Sequence, residues 1–308
     1  MPWTCADIPD QTGRVALITG ASSGLGLESA RALAERGATV LLGCRSPQRL
    51  EAALAELRPT ARGALHGVRL DLADLSSVAA AADAVSRDWS GLDLLLNNAG
   101  VMALPRQLSR DGLELQFATN HLGHFALTAA LLPLLEQRPG SRVVSVSSGA
   151  HHFGRIDFED LQGERDYDRW RAYAQSKLAN LLFALQLQRR LEASGSTTRS
   201  LAAHPGVAWT RLQTTSVEAS GQRLEAWAYR LMRPLGQSAA MGALPLLQAA
   251  TAAELPGGSY RGPDGMTEMR GWPGPARLSA RARDPQLAER FWQVSEELLA
   301  AAAARSEA

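Results

Sequence analysis

Short aliphatic runs alternate along this chain with longer stretches whose apolar residues recur at three- and four-residue spacing. The former read as strands and the latter as helices, because side chains share a face every two residues in a strand and every 3.6 in a helix. A strand is expected over 14–19 (RVALIT), then a helix over 24–36 that Gly37 ends. A second strand, 38–43 (ATVLLG), leads to a helix from 47 to about 57. A third strand covers 64–70 and precedes a helix over 75–88. The fourth, 92–96 (LDLLL), is a near-continuous apolar run, as a strand covered on both faces should be. A long helix is expected around 113–135 and a fifth strand over 142–146. A helix then runs through Tyr173 to about 191, and a sixth strand covers 199–203.

After His204 the pattern loosens. Residues 208–235 are mixed, and 223–235 place Leu224, Trp227, Ala228, Leu231 and Leu235 on one helical face. That face could line a lipophilic pocket, touch a membrane or pack on the core. A helix over 237–253 follows, then a segment of glycines, prolines and arginines over 256–283 that reads as a short strand plus loops. A last helix over 284–304 has Asp284 as its cap and Pro285 at its first position. Alternation of this kind implies an α/β fold: one doubly wound parallel sheet with helices on both faces. No repeat or long linker divides the chain, so 1–308 is expected to be a single domain, with substrate-pocket segments near 149–172 and 208–235. Ligands should bind beyond the carboxyl ends of the strands.

Composition narrows the function. With 308 residues, 45% hydrophobic content and a net charge of +1, the chain can fill a large core and offers no basic field for nucleic acid. Cys5 and Cys44 are too few for a disulfide framework, which points to a cytoplasmic setting. The longest apolar stretch, 125–135, is too short for a membrane span. No metal site is expected: His121 and His124, and His151 and His152, match no zinc signature.

The candidate chemistry sits at strand ends. Thr19-Gly20-Ala21-Ser22-Ser23-Gly24-Leu25-Gly26 joins the first strand to the first helix. Glycines there let the backbone approach a pyrophosphate, and the helix N-terminus favours its charge. The second strand ends in Gly43-Cys44-Arg45, with an arginine where an NAD site would carry an acid for the ribose 2′-hydroxyl. An arginine attracts a 2′-phosphate, so NADP(H) is preferred and NAD(H) is the second option. The alternative is that Arg45 is merely solvated. Asp71-Leu72 closes the third strand, where Asp71 could accept from an adenine amino group or cap the next helix. Asn98-Ala99-Gly100 closes the fourth, within Asn97–Gly100, where a buried Asn can tie strand ends together or line the pocket. Ser148 ends the fifth, with a hydroxyl suited to a carbonyl oxygen and no nucleophile-elbow motif around it. Asn120 interrupts a helical stretch where Asn is a poor residue, and can serve a water or a broken backbone bond. The turn Pro205-Gly206-Val207 ends the sixth strand, with Thr210 free to bond a carboxamide or phosphate. Lys177 is the chain's single lysine, every other member of the 32 Lys+Arg residues being arginine. It follows Tyr173 by one helical turn, and an ammonium beside a phenol can make it acidic enough for proton transfer.

Together TGASSGLG at 19–26, NNAG at 97–100, Asn120, Ser148, YAQSK at 173–177 and PGVAWT at 205–210 resemble the short-chain dehydrogenase/reductase family. The resemblance covers roughly residues 10–265. CRS after the second strand, NHLGHF at 120–125, SSGAHHFGRIDF at 147–158 and SKLANLLF at 176–183 resemble its retinol-dehydrogenase-like branch. That resemblance implies a Rossmann-type fold and hydride transfer between NADP(H) and a lipophilic carbonyl or alcohol. It also implies that Tyr173 is the general acid/base, that Lys177 lowers its pKa and holds the nicotinamide ribose, that Ser148 polarises the carbonyl, and that Asn120 holds a relay water. Relatives are often homo-oligomers, and many in the branch carry an N-terminal apolar anchor that is not seen here. A milder resemblance is to light-dependent protochlorophyllide reductase, which shares TGASSGLGL and TNHLGHF and would imply C=C reduction. A catalytically silent NADP(H)-sensing scaffold is the remaining alternative, against which the presence of both Tyr173 and Lys177 argues.

Overall fold

The computed structural model describes residues 1–209, 216 and 236–307. Eight strands form one sheet in the order β3-β2-β1-β4-β5-β6-β7-β8. They are β1 Val15–Thr19, β2 Thr39–Cys44, β3 Leu65–Arg69, β4 Leu94–Asn97, β5 Arg142–Val146, β6 Arg199–Ala203, β7 Tyr260–Pro263 and β8 Pro273–Pro275. All neighbours through β7 are parallel, and β8 pairs antiparallel with β7. A wholly parallel sheet was expected. The β7–β8 connection carries no helix among its residues, and a return without a crossover runs antiparallel.

The described helices are α1 Gly24–Glu35, α2 Pro47–Leu57, α3 Leu75–Asp88, the single turn α4 Leu115–Phe117, α5 Gly123–Glu136, α6 Arg169–Ala193, α7 Ala239–Thr251 and α8 Pro285–Glu307. Alternation within the strands sorts them onto two faces. Ala16 and Ile18 of β1, with Val40 and Leu42 of β2, pack with α1, α2 and α7. Val15, Leu17 and Leu41 point the other way, into a core with α3, α5 and α6. None of the described helices is long and apolar enough to cross a membrane.

Two local outcomes shape the site. The stretch expected as one long helix around 113–135 is broken: α4 passes into a π-helical turn at Ala118–Leu122, where Gly123 N–H bonds the Ala118 carbonyl, before α5 begins. Single π turns mark functional sites often enough to make Asn120, at its centre, a candidate. The cap of α3 is Asp74, whose carboxylate accepts from Ser76 N and Ser77 N. That excludes Asp71 from the capping role that stood as one of its two readings.

Candidate active site

The cofactor end is built by close packing at the carboxyl ends of β1 and β4. Gly20 has φ +67°, and a Cβ there would lie 2.9 Å from Ala99 Cα. A Cβ on Gly26 would meet the Gly20 carbonyl oxygen at 2.4 Å and Asn98 Nδ2 at 2.6 Å. Only glycine lets the loop fold this tightly onto the first turn of α1. Gly24 opens α1 with φ +57°. Ser23 caps α1 through its backbone alone; its hydroxyl makes no capping bond, which leaves the first N–H groups to a ligand. Ser22 is half-buried beside it, and Leu25 is buried against Gly242 of α7. Asn98 Nδ2 donates to the Thr19 carbonyl at 2.8 Å and ties β4 to β1, while its Oδ1 is buried with no hydrogen-bond partner. A glycine cradle, an open helix N-terminus and an orphaned acceptor are what a dinucleotide pyrophosphate and its ribose need, so these residues fit the cofactor that the sequence implies.

Further along the same edge, Arg45 leaves β2 with a side chain 73% exposed, and its Nε lies 3.8 Å from Asp71 Oδ2. Arg45 is thus largely exposed and within ion-pair range of Asp71. Asp71 also accepts from Ala73 N through Oδ1, and Ser77 Oγ accepts from Asp71 N. Leu72 is buried, and its carbonyl would lie 2.3 Å from a Cβ on Gly123. Arg45 and Asp71 line an open cavity of about 810 Å³ with His66, Arg69 and Trp89.

The chemical end gathers Asn120, Ser148, Tyr173 and Lys177. Tyr173 and Lys177 face the same side of α6, with the ammonium 5.7 Å from the ring centroid. Lys177 Nζ donates to the Val146 carbonyl at 3.2 Å, and burial brings its pKa down to about 8. Burial pushes the Tyr173 phenol up, and the nearby Ser148 hydroxyl acts in the opposite direction. The sequence reading gave that opposing part to Lys177; in the protein alone it belongs to Ser148. Asn120 is clamped by its own amide: Oδ1 accepts from Val101 N at 2.7 Å, and Nδ2 donates to the Val101 carbonyl and to Ser176 Oγ, both at 2.9 Å. Gly100 closes the group, since a Cβ there would sit 3.0 Å from Asn120 Oδ1 and 3.5 Å from Lys177 Nζ.

The turn after β6 is more constrained than its sequence suggests. Gly206 has φ +63°, and a Cβ there would strike the Met269 carbonyl at 2.3 Å. Val207 N donates to that same carbonyl at 2.7 Å, and the Val207 carbonyl accepts from Gln237 N. The Pro205 carbonyl accepts from Gln237 Nε2. Thr210 and the helical face over 223–235 lie outside the described residues. The long interval between Ser148 and Tyr173 folds back over α4: Tyr167 Oη lies 2.9 Å from the Leu104 carbonyl and 3.0 Å from Glu114 Oε1. Glu114 caps α4 with both carboxylate oxygens, and burial holds its pKa up. His204 bonds Glu268, a residue held at φ +53°. Neither the His204–Glu268 contact nor the pairing of Thr19 with His124, described below, was foreseen from the sequence, since the partners lie far apart along the chain.

A family model described as short chain dehydrogenase matches residues 14–221. Human retinol dehydrogenase 12 is 42% identical over 290 residues, 93% of this chain and 86% of its own length. Human retinol dehydrogenase 11 is 39% identical over 296 residues, 96% of this chain and 88% of its own. A probable oxidoreductase of Streptomyces lividans is 39% identical over 303 residues and matched across 99% of its length. Among solved structures, a protein from Mycobacterium paratuberculosis shares 44% identity, covers 97% of both chains and superimposes with a TM-score of 0.79. The chain belongs to the short-chain dehydrogenase/reductase family, in the branch that holds the retinol dehydrogenases.

Proposed function

We propose that this protein is an NADP(H)-dependent oxidoreductase that interconverts a carbonyl and an alcohol on a lipophilic small molecule, with Tyr173 as general acid/base. The observation that carries the reading is the buried Tyr173 phenol, with the only lysine one turn away on the same side of α6 and the half-buried Ser148 hydroxyl acting on it. In the reductive direction a bound nicotinamide supplies the hydride, and the protein manages the oxygen. The Ser148 hydroxyl donates to the carbonyl oxygen and offsets the charge that builds on it. Tyr173 gives its proton to that oxygen, and oxidation runs the same path backwards. Lys177, mainly a cation below its pKa of about 8, holds the cofactor ribose and favours the phenolate once the proton has left. Asn120 holds the water through which the proton is replaced.

Arg45 supports the choice of NADP(H). A 2′-phosphate offers the guanidinium a stronger partner than Asp71 does, and a second acid in place of Arg45 would repel it. The retinol dehydrogenases support a lipophilic substrate, since retinol is a long apolar alcohol. The experiment is a panel of aldehydes and ketones of rising chain length, followed by NADPH consumption and, in parallel, NADH. Turnover is expected with NADPH, favouring the apolar members. In Tyr173→Phe it should fall by about a thousandfold with nucleotide affinity nearly intact. Equal rates with NADH, or turnover retained in Tyr173→Phe, would overturn the reading. Tight NADPH binding without any turnover would instead favour the silent sensor.

A further inference from the structure

His124 lies in the first turn of α5, buried, four residues after Asn120. Its ring joins Thr19, 105 positions back in the chain, to Asn120 of the π turn. Nε2 is 2.8 Å from Thr19 Oγ1 at the end of β1, and Nδ1 is 3.0 Å from the Asn120 carbonyl oxygen in the π turn. The protons can be placed by counting. A hydroxyl has one proton and two lone pairs. Thr19 Oγ1 accepts from Asn98 N and from Ala99 N, each at 2.9 Å, so both lone pairs are used. Its proton must point outward, to the Leu96 carbonyl at 3.3 Å or to His124 Nε2 at 2.8 Å, and the shorter contact takes it. Nε2 is then the acceptor, and Nδ1 carries the hydrogen and donates to the Asn120 carbonyl.

The arrangement has no room for a second ring proton. A hydrogen on Nε2 would face an oxygen with no lone pair left. Burial and the nearby Lys177 charge act in the same sense, and the pKa of His124 falls to about 4. His121, the other ionisable ring close by, is pushed down to about 3 by its own burial. The Asn120 side chain is already fixed on Val101 and Ser176. Its carbonyl is what His124 aims.

From this chain of donors we infer that His124 is a positioning residue for the reaction. It locks the Asn120 carbonyl to the Thr19 hydroxyl beneath the glycine-rich loop, so that the proton-relay end and the cofactor end of the site share one register. This rests on the roles proposed for Tyr173 and Asn120.

The wild-type protein gives the first test. Nitrogen-15 labelling of the six histidines should show the His124 ring as the Nδ1–H tautomer, without titration near neutral pH. An Nε2–H tautomer, or a midpoint near that of a free imidazole, overturns the inference. Two variants then separate the halves of the contact. His124→Asn keeps an N–H close to the Nδ1 position but cannot reach Thr19. His124→Gln reaches Thr19 with a carbonyl oxygen and gives up the donor to Asn120. The Asn variant should bind NADP about tenfold more weakly by calorimetry and lose less in kcat than the Gln variant. The Gln variant should keep its affinity, lose about tenfold in kcat and show a larger solvent isotope effect on kcat. Like behaviour of the two in affinity, kcat and isotope effect would mean that only ring volume matters, and would overturn it. A wild-type protein that turns over no carbonyl would sink the proposed activity; the tautomer and the calorimetry would still decide the role of His124.

Discussion

Lys177 works in a place that is bad for a lysine. Its ammonium is buried, and its pKa is lowered from 10.5 to about 8. Between those values the unfolded chain binds a proton that the native protein does not, so stability rises with pH across that window. Below about pH 8 the buried charge is a standing cost, on the order of 3 kcal/mol by the size of the shift. Lys177→Met keeps the length of the side chain and drops the charge. The variant should lose turnover yet be more stable than wild type at pH 7, by up to about 3 kcal/mol less the lost bond to Val146. Urea denaturation at pH 7 and near pH 10 checks this, with the gain shrinking at the higher pH. A variant less stable at pH 7 would show that the ammonium is better satisfied than its surroundings indicate. Activity here is held against stability at one side chain.

Among the elements, α5 is packed tightly against the segment just after β3. Gly123→Ala would put a methyl 2.3 Å from the Leu72 carbonyl, which belongs to backbone and cannot rotate away. The helix must shift off the sheet, at a cost of about 2 kcal/mol. Chemical denaturation should report that loss, and weaker NADP binding by calorimetry should accompany it, because Leu72 lies beside Asp71. Wild-type values in both would mean that α5 yields freely. Elements of this kind were only partly legible in the chain. The helices 47–57 and 75–88 and the strands 142–146 and 199–203 follow from local periodicity, capping residues and glycine stops, and they stand where the pattern put them. The π turn does not: inserting it leaves the apolar spacing on either side unchanged, and only the awkward Asn120 hinted at it. Asp71 and Asp74 are equal as letters, and the backbone decides between them. Tyr173 and Lys177 were readable as a pair because they are neighbours on one helix, Ser148 because it follows the end of a strand, and Asn120 because it sits badly in a helix. The His124–Thr19 contact was not, because nothing local relates positions 105 apart.

On the scale of the molecule, α8 is docked on α6 through aromatic rings. Trp292 stacks on Phe183 at 5.6 Å and 9° and lies 4.6 Å from Phe125, while the Arg190 guanidinium sits 4.5 Å from the centroid of the Trp292 ring. Trp292→Ala should cost about 3 kcal/mol by urea denaturation. A loss near zero would mean that α8 contributes little to the fold. Because α6 carries Tyr173 and Lys177 on one side and receives α8 along its length, loosening the C-terminal helix should lower turnover as well as stability. The lone lysine also makes the molecule its own unfolding gauge. A protease that cuts only after lysine has a single peptide bond to attack, in the middle of a helix that is buried there. Native protein should be left whole, and each chain cut should yield the same two fragments. The cutting rate would then read how often α6 opens, with no dye or label, and any molecule that settles into the site could be found by how far it slows the cut.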